Sequence, residues 1–64
     1  GGGVAENTPN AYGLRLGQRV VHKIFGEGVV LHLEGQGDHS RVQVNFGAAG
    51  MKWLALEYAR LTPA

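Results

Sequence analysis

The sequence predicts an all-β domain, a small closed or nearly closed barrel of about five short antiparallel strands with one short helical turn. Three observations point there. Short runs of β-branched and apolar residues recur along the 64 residues, each bounded by Gly, Pro, Asn or Asp. Eleven glycines are present, and most separate apolar runs, so the excess marks turns. There is no cysteine, which removes a disulfide framework and a cysteine-based zinc site as staples. A chain this short buries only about 60% of its unfolded surface, so pairing every strand has to compensate for a thin core.

Residues 1–15, which open GGGVAENTPNAYG, are polar and glycine-rich without an apolar period and read as a flexible linker. Tyr12 and Leu14 have some apolar claim to fold back, but their polar surroundings favour an unanchored tail. The folded domain is assigned to residues 16–64, and a leader of this kind suits the last piece of a longer protein.

The first strand is expected from Gln18 to Ile24, with Val20 and His22 on one face and Val20 inward. Gly26 and Gly28 flank Glu27 ahead of a second apolar run, so the chain is expected to double back there as a hairpin. If the hairpin pairs symmetrically about Glu27, His32 falls opposite His22. Strand two, Gly28 to Glu34, is apolar at three consecutive positions, Val29, Val30 and Leu31, which calls for a bent strand shared between two halves of the barrel.

Gly35 to Ser40 reads as a turn. Strand three, Arg41 to Phe46, alternates cleanly, with Val42, Val44 and Phe46 on a core face and Arg41, Gln43 and Asn45 on a wet one. Gly47 to Gly50 makes the next turn. The segment MKWLALEYARL has helical propensity. Three strands with two open edges nevertheless need a fourth, so Met51 to Leu56 is assigned as strand. Glu57 to Ala59 then forms a helical turn, and Arg60 to Thr62 a last strand before Pro63. The sum is an SH3-like, Tudor-type barrel.

Six Lys and Arg against five Asp and Glu leave a net charge of +1 with no run of either sign. A phosphate-backbone binder normally clusters its basic residues, and here they are scattered from Arg15 to Arg60. No apolar stretch approaches the roughly 20 residues that span a bilayer, so a soluble, cytoplasmic chain without membrane contact is expected. No G-x-x-x-x-G-K loop followed by Ser or Thr occurs, and Ser40, the only serine, sits in a polar turn, so neither nucleotide binding of that kind nor a catalytic triad is indicated. His22, on the face of Val20, reads as a hydrogen-bonded structural residue. Two paired histidines are too few for a zinc site, and His39 lies in a turn. Phe25, Phe46, Trp53 and Tyr58 evoke an aromatic cage for methylated side chains, but Phe25 and Phe46 look committed to the core.

The runs LGQRVVHKIFGEGVV, EGQGDHSRVQVNF, GMKWL and YARL together closely resemble the C-terminal Tudor-like domain of UvrD/PcrA-type superfamily 1 DNA helicases, over Leu16 to Leu61. Arg60 in YARL is closer to the UvrD branch. The opening motif also resembles the RNA-polymerase-interacting domains of CarD and of the transcription-repair coupling factor. The resemblance implies a non-catalytic docking module with no cofactor of its own, the ATP and Mg belonging to a parent 3'-5' helicase of DNA repair, nucleotide excision repair included. It implies RNA polymerase as partner, with other repair proteins besides, and a monomer. Lys52 and Trp53 match the family's G-x-K-W-L and have the composition that interface hot spots favour, and Arg41 and Gln43 on the wet face of strand three would complete the surface. The exposed edge there is expected to offer pairing to a partner strand. The competing reading makes Trp53 a core aromatic and Lys52 a solvated charge. An alternative function is an accessory nucleic-acid-binding barrel, which needs Arg15, Arg19, Lys23, Arg41 and Lys52 to share one face.

Overall fold

The computed structural model describes residues 13–64, and the expected linker up to Tyr12 lies outside the described residues. Five strands form one antiparallel sheet: β1 (Arg19–His22), β2 (Gly26–Glu34), β3 (Arg41–Asn45), β4 (Met51–Ala55) and β5 (Leu61–Pro63). Their spatial order is β4-β3-β2-β1-β5. The expected all-β, barrel-like architecture is the observed one. The stretches read as turns between β2 and β3 and between β3 and β4 hold 3-10 turns at Gly37–His39 and Gly47–Ala49. After β4 the chain makes a single turn in which the Tyr58 and Ala59 N–H groups both donate to the Ala55 carbonyl, at 3.0 and 2.9 Å.

The buried core is Leu14, Val20, Val30, Val42, Val44, Phe46 and Leu56, with Phe25, Leu33, Leu54 and Leu61 packed against it. Val42, Val44 and Phe46 enter it from one strand and its exit, as period-2 alternation requires. Leu14 belongs to this core, and the Arg15 N–H donates to Gln18 Oε1 at 3.0 Å. The folded unit therefore takes in residues 14 and 15. A single leucine has no period, so its apolar side chain was the only signal the sequence carried for it, and its polar surroundings outweighed that.

The bend expected in β2 is a bulge. Val30 pairs with Val44 and His32 with Gln43, so Leu31 has no opposite residue. The extra residue resets the alternation. Without it His32 would follow Val30 into the core and Leu33 would face out; with it Leu33 packs on the core and His32 stays exposed.

The β1–β2 hairpin is centred differently from the sequence expectation. His22 pairs with Gly26, Val21 with Glu27 and Val20 with Gly28, so the turn is Lys23 to Phe25 and the symmetry point is Ile24, not Glu27. His32 accordingly lies across from Gln43 and not from His22. Two contacts fix this register. The His22 Nδ1 accepts the Ile24 and Phe25 N–H groups at 3.0 and 3.2 Å, tying the turn to the end of β1. Gly28 belongs inside β2, where a Cβ would lie 2.6 Å from Phe46 Cδ1 and 2.6 Å from Val44 Cγ1. It is a close-approach glycine that lets Phe46 cross the sheet, while Gly26, with φ of 82°, is the one that serves the turn.

Candidate protein-interaction surface

The sheet has an inner face over the core and an outer face, and the register sorts the candidate residues between them. Gln43 lies between His32 on β2 and Trp53 on β4, and the next row joins Glu34, Arg41 and Ala55. All of these face out, since their neighbours Val42 and Val44 face in. The outer face therefore carries one polar and aromatic patch. The Arg41 guanidinium sits 5.0 Å from the Trp53 ring centroid and also pairs with the Glu34 carboxylate. The His32 ring also meets Trp53 in an edge-on arrangement, at 5.8 Å.

Trp53 is 43% exposed and Met51, one row along, 63%. The core aromatic is Phe46, at 5%, so the reading that made Trp53 a core residue does not hold. In contact with Arg41 and His32, the indole is held in place yet leaves part of its surface open, which is how an anchor residue loses little side-chain entropy on binding.

Lys52 is separated from this group. It pairs with Val44 on the inner side, is half-buried, and places its Nζ 4.9 Å from the Phe25 ring centroid. Phe25 is stacked on His22 at 4.6 Å and lies 5.3 Å from Phe46, whose ring is also 5.9 Å from His22. Lys52 thus closes one end of an aromatic cluster under the β1–β2 turn, a cation–π contact contributing about 0.5–1 kcal/mol. Of the four predicted site residues, the fold brings Trp53, Arg41 and Gln43 together and puts Lys52 on the other face of the same strand.

The aromatic cage does not assemble. Phe25 and Phe46 belong to the inner cluster, Trp53 to the outer face, and Tyr58 is exposed beyond β4. Among the described residues no group of His, Asp and Glu has metal-binding geometry. No described helix is long and apolar enough to cross a membrane. The edge offered to a partner also moves: β2 and β3 are each paired on both sides, and the open edges are β4 and β5. Sequence reasoning missed His32 and Met51 as members of the outer patch. Met51 was legible from alternation with Trp53, whereas His32 needed the bulge.

Residues 16–62 match the family model described as the PcrA/UvrD tudor domain. DNA helicase II of Escherichia coli (strain K12) is 56% identical over 52 residues, which is 81% of this chain and 7% of the helicase. DNA helicase II of Salmonella typhimurium matches with the same identity and coverage. That of Haemophilus influenzae is 43% identical over 47 residues, 73% of this chain and 6% of the relative. The chain thus spans about 7% of the length of the first two relatives.

Proposed function

Because this chain belongs to the PcrA/UvrD tudor domain family, we propose that it is the C-terminal, non-catalytic interaction module of an ATP-dependent 3'-5' DNA helicase of bacterial DNA repair, docking that motor to RNA polymerase in the cytoplasm and engaging other repair proteins. The observation that carries the reading is the outer patch, where a half-exposed Trp53 contacts both Arg41 and His32 on the face of the sheet. Such a module works as a monomer by raising the local concentration of its motor at a stalled polymerase, with no chemistry of its own.

A nucleic-acid role has less support. Arg19 and Arg41 face out, Lys52 faces in, Lys23 lies in the β1–β2 turn, and Arg41 is already engaged by Glu34. The five basic residues that role requires do not share one face.

An NMR titration of the isotope-labelled chain with purified RNA polymerase fragments tests the proposal. Shifts at Trp53, its indole N–H, Arg41, Gln43 and Lys52 are expected. No shift with any fragment, together with salt-sensitive shifts of Arg15, Arg19 and Lys23 on adding DNA, would replace docking with nucleic-acid binding.

A further inference from the structure

β4 is an edge strand whose backbone is half used. In an antiparallel pair, opposed residues alternate between exchanging hydrogen bonds and not doing so. The Phe46 N–H donates to the Gly50 carbonyl at 3.0 Å and the Leu56 N–H to the Ser40 carbonyl at 2.9 Å, in register with the pairs Val44 to Lys52 and Val42 to Leu54. Lys52 and Leu54 therefore turn their amides and carbonyls to β3, and Met51, Trp53 and Ala55 turn theirs to the open edge. The Ala55 carbonyl is taken by Tyr58 and Ala59. The N–H groups of Met51, Trp53 and Ala55 and the carbonyls of Met51 and Trp53 have no partner among the described residues.

The other edge is blunted against addition. The Ala64 N–H donates to the Arg19 carbonyl at 3.0 Å, so in the pair Val20 to Pro63 the proline nitrogen points outward, away from β1. A short strand with an outward proline is how sheets block unwanted pairing. β4 has five residues, no proline and an unbroken register with β3, and its outward positions carry the two exposed apolar side chains Met51 and Trp53.

Resting on the docking reading above, we propose that β4 receives a strand from the partner: an extended polymerase segment that pairs with the Met51, Trp53 and Ala55 backbone. Its side chains alternate, apolar over Met51 and Trp53 on the outer face and acidic beside Lys52 on the inner one. The occupant follows from the geometry. The unpaired groups are main-chain donors and acceptors at strand spacing, which another strand satisfies. A partner lying flat on one face reaches Trp53 or Lys52 but not both, whereas a strand along the edge meets the two together. The acidic position follows from charge, because the only ion pair among the described residues is Arg41 with Glu34, which leaves the Lys52 ammonium facing a ring and no carboxylate.

The test is amide hydrogen exchange and affinity with purified RNA polymerase fragments. On binding, the Met51, Trp53 and Ala55 amides should slow by about tenfold or more, while Lys52 and Leu54, already bonded to β3, should not change. Ala55→Pro removes an outward donor and obstructs the edge without touching the side chains of Lys52 or Trp53, and should weaken binding by about tenfold. Met51→Pro should do the same and serves as the second variant if the first does not fold; Lys52→Glu should weaken binding through charge. Folded proline variants that bind as the parent does, with the three amides still exchanging freely and Trp53→Ala still defective, would overturn the added strand and leave docking on the outer face intact. A parent chain that binds no fragment would remove the docking reading and this inference with it.

Discussion

Lys52 and Trp53 are consecutive on β4 and serve opposite sides of the sheet: the lysine Nζ lies 4.9 Å from the Phe25 ring, and the indole lies 5.0 Å from the Arg41 guanidinium. One residue steadies the β1–β2 turn from within, and the other is offered to solvent.

That division predicts different outcomes for the two alanine variants. Trp53→Ala should weaken binding to polymerase fragments by about tenfold or more. It should change unfolding free energy by no more than about 1 kcal/mol, because the ring is outside the core. Lys52→Ala should shift the NMR signals of Phe25 and Ile24 as the cation leaves the ring. Calorimetric titration and urea unfolding of both variants check this, and the single tryptophan provides an internal reporter whose acrylamide quenching should fall on binding.

His22 caps the β1–β2 turn through Nδ1, which accepts two backbone N–H groups. His22→Ala should therefore cost about 1–2 kcal/mol of stability in chemical denaturation. His22→Asn should recover part of the loss, since a short side-chain carbonyl can accept from amides two and three residues on. Equal destabilisation by Ala and Asn would assign the effect to ring stacking on Phe25 instead.

Gly28→Ala should destabilise by about 1–3 kcal/mol through overpacking. The new methyl would meet Phe46 Cδ1 and Val44 Cγ1 at 2.6 Å and the Asn45 carbonyl oxygen at 2.8 Å. Combining it with Phe46→Leu should relieve only part of the strain, because the carbonyl contact is backbone and stays. Thermal unfolding of the single and double variants measures the difference.

Leu14→Ala should cost about 2–5 kcal/mol. For a domain this small that is much of the total stability. A chain starting at Gly13 should unfold at higher urea concentration than one starting at Leu16, which lacks the leucine altogether. Identical midpoints would show that Leu14 burial contributes nothing.

The sequence determined the elements. Val42, Val44 and Phe46 alternate inward because a strand's side chains have a period of two, a covalent property that needs no partner. Glycine clusters marked the turns for the same local reason, and the motifs from Leu16 to Leu61 pointed to the family. Alternation even parts Lys52 from Trp53 once the segment is read as strand, although not which of them faces in. The tertiary structure decided the rest. The pairing of Lys52 with Val44 sends it inward, the unpaired Leu31 reverses the faces of His32 and Leu33, and Phe46 crossing over Gly28 sets that glycine inside a strand. Register and bulges are choices between pairings of residues far apart in the chain, and they are settled by which pairing buries the most apolar surface, a quantity no local window of sequence contains.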